Sequence, residues 1–223
     1  MAVLEVGSHH CYCKQERHAT KLVVLTGGPG AGKTAVLEMA RRVFCGHVTI
    51  LPEAASLLFA GGFPRHPTEA GRRAVQRGIF HIQREVERLA VEESHAAVAL
   101  CDRGTIDGLA YWPDAPESFW HDLNVDPQSE LSRYDAVIHL ETPLANGGYN
   151  NQNPLRSESA YEARIINDRI LAAWKDHSRR SIVSSTTDFL DKAVTALKRI
   201  ASELPTCCHG RSTEVIESAA PKA

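Results

Sequence analysis

Gly27-Gly28-Pro29-Gly30-Ala31-Gly32-Lys33-Thr34 decides the fold of this chain. The stretch sets two glycines around four residues and closes on Lys-Thr, the pattern of a phosphate-binding loop. Its flanks agree. Lys21-Leu-Val-Val-Leu-Thr26 is a short apolar, β-branched run that reads as a strand. Ala35-Val-Leu-Glu-Met-Ala-Arg-Arg42 follows with good helix formers. A strand feeding a glycine-rich loop that opens a helix is what phosphate binding requires. Glycines let backbone N–H groups turn inward, and the helix N-terminus adds the positive end of its dipole. Gly28, Pro29, Gly30, Ala31, Gly32, Lys33, Thr34 and Ala35 are therefore the expected cradle. Lys33 would reach the β/γ-phosphates and the Thr34 hydroxyl would bind Mg²⁺. The plain alternative is a Gly-rich strand-to-helix turn with an incidental Lys.

Composition bounds the rest. The chain has 223 residues, 43% hydrophobic and 23% charged, which suits one soluble globular domain. A net charge of −2 gives no support for nucleic acid or an acidic membrane as main partner. No apolar run approaches the roughly 20 residues that span a bilayer, and residues 1–20 lack a signal-peptide core. A cytoplasmic protein is expected. The cysteines are Cys11, Cys13, Cys45, Cys101, Cys207 and Cys208. Cys45 and Cys101 sit in apolar contexts and read as small buried hydrophobes. His9-His10-Cys11-Tyr12-Cys13 and Cys207-Cys208-His209 carry soft metal ligands, but their spacing matches no standard zinc pattern. Mobile tails are the simpler reading.

Strand-like runs at Leu22–Thr26, His47–Leu51, Ala96–Cys101, Ala136–Leu140 and Ser181–Ser184 alternate with helical patterns. The helices fall at Lys33–Phe44, Ala54–Ala60, Thr68–Glu93, Glu158–His177 and Phe189–Ser202. This alternation predicts an α/β P-loop NTPase fold: a five-stranded parallel sheet with helices on both faces. Residues 21–204 form the domain, with a disordered leader at 1–20 and a disordered tail at 205–223 as expectations. The Asn- and Gly-dense segment 145–154 has low β-propensity and suits a flexible lid.

Four constellations carry chemistry. Val98-Ala-Leu-Cys-Asp102-Arg103-Gly104 places a carboxylate at the end of an apolar strand beside the loop. Asp102 reads as the Mg²⁺ carboxylate, with a cap on the following helix as the alternative. The residue after it is Arg103. ATPase motors of the AAA+ kind usually have a water-positioning Glu there, so Arg103 favours holding a phosphoryl group. Asp107, one turn on, is a weaker candidate that reads equally well as a surface residue. Glu53 follows the second strand and should face the crevice beyond the carboxyl ends. It could accept a substrate hydroxyl proton or simply be a first-turn helix Glu.

Arg156, leaving the lid, is the expected arginine finger. Arg164 is a second choice that could instead pair with Asp168 on a solvated helix face. Arg73, Gln76 and Phe80 share one helix face. It could line an acceptor pocket with Gln76 reading a base, or be core plus a charged outer face.

Together the loop, Pro52-Glu53-Ala-Ala, Asp102-Arg-Gly-Thr-Ile-Asp-Gly-Leu-Ala-Tyr111, Tyr134-Asp-Ala-Val-Ile-His-Leu-Glu-Thr142 and Asn153…Arg156-x-Glu158 resemble one P-loop family. It is the AAA-type ATPase family grouped with the kinase domain of NadR-type NAD regulators and the TRPL-translocation-defect proteins. The resemblance covers roughly residues 20–202 and implies binding of ATP and Mg²⁺. Relatives of this kind divide between riboside phosphorylation and nucleotide-dependent regulation, including GTP-binding forms that contact phosphoinositides. The expected function is a kinase moving the γ-phosphoryl of ATP to a nucleoside- or riboside-like hydroxyl of a small-molecule acceptor. Lys33, Glu53, Asp102, Arg103 and Arg156 would be its catalytic residues, and Thr34 and Asp102 would hold the metal. The alternatives are an NTP hydrolase or a nucleotide-dependent switch with a protein or lipid partner. No Asn/Thr-Lys-x-Asp guanine reader occurs in the sequence.

Overall fold

The computed structural model describes residues 18–143, 160–185, 188–208 and 216. The expected lid, 145–154, and Arg156 lie outside them. Five strands alternate with helices: β1 (Lys21–Thr26), α1 (Lys33–Val43), β2 (Val48–Leu51), α2 (Ala54–Ala60), α3 (Glu69–Glu93), β3 (Val98–Asp102), a 3₁₀ helix (Thr105–Ala110), α4 (Pro116–Leu123), α5 (Pro127–Leu131), β4 (Ala136–Leu140), α6 (Ala160–Ala173), β5 (Arg180–Val183) and α7 (Phe189–Ala201). The sheet is parallel throughout, in the order β2-β3-β1-β4-β5.

Side-chain alternation along the central strand sorts the helices between two faces. Val23 and Leu25 of β1 pack with Val36, Leu37 and Ala40 of α1 and Ala193, Leu197 and Ile200 of α7. Leu22 and Val24 point the other way, onto Ala90 of α3, Ile106, Ile170 and Trp174. A strand flanked on both faces must be apolar at every position, which is why β1 is an unbroken hydrophobic run rather than an alternating one. Each such Val or Leu contributes roughly 1.5–3 kcal/mol by leaving water.

The sequence boundaries hold to within a few residues, but α4 and α5 are additions. Both are short, eight and five residues, so neither offers enough turns for an apolar period. They start on Pro116 and Pro127, each at the first helical turn. The edges of the domain also shift. Thr20 already hydrogen-bonds Ala96 O at 2.7 Å, and beyond Leu204 both Cys208 and Ile216 are buried in the α1/α7 core. At these positions the chain packs against the domain. A hydrogen bond holds Thr20, and apolar burial holds Cys208 and Ile216.

Candidate phosphate-binding site

The glycine-rich loop leaves β1, the middle strand, and α1 begins at Lys33. Gly27 has φ 137° and Gly32 has φ 95°, both in the region that disfavours side chains. Close packing adds a second requirement. A Cβ on Gly27 would lie 2.2 Å from Leu140 O, and one on Gly32 would lie 2.5 Å from the Phe189 ring. The Lys33 ammonium folds back to donate to Gly27 O at 2.8 Å and Gly28 O at 3.1 Å. Burial, with the nearby Arg103 charge, lowers its pKa to about 7. Thr34 and Ala35 are exposed at the head of α1.

The expected acidic partners stand at the carboxyl ends of the neighbouring strands. Asp102 ends β3, in register with Leu25 of β1. Its carboxylate accepts no hydrogen bond among the described residues, and burial raises its pKa. A part-buried carboxylate beside the loop, without a donor of its own, fits a divalent cation. The exposed Thr34 hydroxyl supplies the second hard oxygen such an ion prefers.

Arg103 has φ 73°, a strained conformation for a side-chain-bearing residue. Its backbone N–H donates to Leu25 O at 3.1 Å, and its guanidinium turns back over the loop. Nε donates to Glu53 Oε1 at 2.8 Å, and Nη1 donates to Gly27 O at 3.3 Å and Asp107 Oδ2 at 3.2 Å. Nη2 donates to no described group. Burial raises the Glu53 carboxyl, but Arg103, a hydrogen bond from Ser56 and Lys33 outweigh it, and its pKa is lowered overall.

Asp107 is not a surface residue. It is 3% exposed and accepts from Thr26 Oγ1 at 2.7 and 2.8 Å, from Trp174 Nε1 at 2.6 Å and from Arg103. It ties the end of β1 to α6 and orients Arg103. Trp174 also explains Gly104, where a Cβ would meet the indole at 2.8 Å.

Further side chains support the loop without any signal in sequence spacing. Lys192 Nζ of α7 donates to Ala31 O at 2.9 Å and to Glu141 O, and burial lowers its pKa to about 8. Thr142 Oγ1 donates to Pro29 O at 3.3 Å, and Asn167 Oδ1 accepts from Thr142 N at 3.2 Å. Since Asn167 Oδ1 is an acceptor, the 3.0 Å contact from His139 assigns the proton to His139 Nε2.

The expected arginines divide. Arg164 pairs with Asp168 at 3.3 Å on an exposed face, so the surface alternative applies to it. Arg169 reaches Ala110 O at 3.4 Å. Arg73 is held by Asp114 at 2.6 and 2.8 Å. Phe80 packs in a small aromatic core with Trp112, Phe119 and Leu123. Gln76 is 8% exposed, and its amide has no hydrogen-bond partner among the described residues.

Comparison with known proteins agrees with this architecture. No curated protein sequence matches significantly. Among solved structures, deoxyadenosine kinase from M. mycoides with bound dATP superposes with a TM-score of 0.54 at 14% identity, over 81% of this chain and 98% of that one. At that identity the likeness establishes a shared fold. The family described as AAA domain matches residues 22–192. With the match spanning most of its length, the chain belongs to this P-loop AAA-domain family.

Proposed function

We propose that the protein is a small-molecule kinase that transfers the γ-phosphoryl of ATP to a nucleoside- or riboside-like hydroxyl. The observation that carries this reading is the Glu53–Arg103 pair beside the phosphate loop. AAA+-type motors usually carry a water-positioning carboxylate after the metal Asp, where this chain has the part-buried guanidinium of Arg103. A kinase needs a carboxylate facing the acceptor hydroxyl and cations around the phosphoryl group. Glu53 and Arg103 have those chemistries, and both sit beyond the carboxyl ends of β2 and β3.

Lys33 would leave the loop carbonyls for the β/γ-phosphates. Arg103 Nη2 would donate to the transferring group, and Glu53 would accept the acceptor proton. Thr34 and Asp102 would hold Mg²⁺, which supplies neutralisation of charge on the β- and γ-phosphate oxygens. Arg156, from the segment before α6, is proposed to complete the cationic set. The Gln76 amide, without a hydrogen-bond partner among the described residues, supports a nucleoside-like acceptor, because a planar amide can pair with the edge of a base. The fold shared with a deoxynucleoside kinase supports the same class.

The test is a radiolabelled-phosphate screen of nucleosides, nicotinamide riboside and sugars with Mg·ATP. Label on a nucleoside or riboside supports the proposal. Release of phosphate to water with no labelled acceptor overturns it in favour of a nucleotide-dependent switch.

A further inference from the structure

Cys45, His47 and Cys208 converge at the end of the molecule opposite the phosphate loop. Cys45 and His47 lie between α1 and β2, hence at the amino ends of the strands, and Cys208 follows α7. Cys45 Sγ and Cys208 Sγ are 3.4 Å apart. His47 Nδ1 is 3.4 Å from Cys45 Sγ and 3.1 Å from Cys208 Sγ. Cys207 Sγ lies 3.7 Å from Cys208 Sγ and 3.9 Å from His18 Nε2. The His18 ring packs edge-on against His47 with centroids 4.7 Å apart.

We propose that this cluster is a structural zinc site, with Cys45 Sγ, His47 Nδ1 and Cys208 Sγ, all within 4.8 Å of one another, as ligands; Cys207 Sγ, which groups instead with His18 and His47, would turn inward to fill the fourth position. Tetrahedral zinc with its usual bond lengths sets S···S near about 3.8 Å and S···N near about 3.6 Å. The Cys45–Cys208 Sγ spacing of 3.4 Å and the Sγ–Nδ1 spacings of 3.1 and 3.4 Å need only small outward shifts to admit the ion. Ordinary burial of cysteine accounts for Cys101, which sits in the sheet. It does not account for an imidazole nitrogen aimed between two thiols from segments 163 residues apart. The spacing that fails as a sequence motif succeeds in space because α1–β2 and the chain after α7 meet only in the fold. On binding, each ligating thiol releases its proton to solvent. A site with no ligand position left for substrate is structural. It would clip the segment after α7 to the sheet without touching nucleotide.

The test uses the full chain purified without chelator and reconstituted with Zn²⁺. Elemental analysis should find about one ion per chain, falling below about 0.2 in Cys45→Ser and in Cys208→Ala. A Cys11→Ser/Cys13→Ser variant should keep the ion. Co²⁺ substitution of the unmutated protein should give thiolate-to-metal charge-transfer absorption. A zinc-selective chelator, with Mg²⁺ kept in excess, should lower Tm by about 5–10 °C and leave Mg·ATP affinity unchanged. No bound Zn²⁺ after reconstitution, a Cys45–Cys208 disulfide by mass spectrometry, or metal lost only in the Cys11/Cys13 variant would overturn the proposal. The cobalt and chelator measurements need no variant, so a misfolding substitution does not blunt the test.

Discussion

Arg103 Nε and Glu53 Oε1 are 2.8 Å apart, joining the carboxyl ends of two adjacent strands. The pair has a consequence for acid–base chemistry. With its pKa lowered, Glu53 is ionised at neutral pH and ready to accept a proton, while Arg103 stays charged. Glu53→Gln keeps the shape and removes the acceptor charge. It should cut phosphoryl transfer about 100-fold or more while calorimetry finds Mg·ATP affinity within about threefold of the unmutated protein. Transfer at near-normal rate in Glu53→Gln removes the proposed role.

Lys33 makes binding pH-dependent. Its free-state pKa is about 7. A triphosphate favours the charged ammonium, so the complex binds more protons than the free protein above that pH. Affinity for Mg·ATP should therefore be fully present below about pH 7 and fall as pH rises above it, with proton uptake on binding. Titrations at pH 7 to 9 in buffers of different ionisation enthalpy read both quantities. Affinity that improves across this range contradicts the assignment.

Asp102 should govern the metal rather than the nucleotide. Asp102→Asn should raise the Mg²⁺ concentration for half-maximal ATP binding about tenfold or more, with little effect on ATP binding in EDTA. A magnesium titration followed by nucleotide fluorescence separates the two, and an unchanged midpoint would assign the metal elsewhere.

Asp107 is a positioning residue. Asp107→Ala leaves Arg103, Thr26 and Trp174 without their shared acceptor, and loss of one partner of a buried pair costs about 3–5 kcal/mol. Urea unfolding should show a loss of this order. A loss under about 1 kcal/mol would mean that the network contributes little.

Much of this was legible in the chain itself. An apolar, β-branched run such as Val23–Leu25 that stops at a glycine loop reads as a strand covered on both faces, and the Gly27–Thr34 pattern has few structural uses. The places of Asp102 and Glu53 were legible because strand ends in a parallel sheet face the crevice. Asp107 was not, because two turns of 3₁₀ helix are too short to show a readable period and its burial depends on Trp174, 67 residues away. Lys192 and Phe189 were hidden for the same reason: α7 meets the loop only after the sheet closes. Cys45 looked like core until Cys208 arrived beside it.

The central claim is that the loop amides and Lys33 hold a magnesium-bound triphosphate. Isothermal titration calorimetry of Mg·ATP into the unmutated protein and Lys33→Ala tests it most directly. Saturable binding by the first, weakened at least about tenfold in the second, is the expected result. No heat from the unmutated protein with millimolar ATP or GTP, or identical affinity in Lys33→Ala, would contradict it.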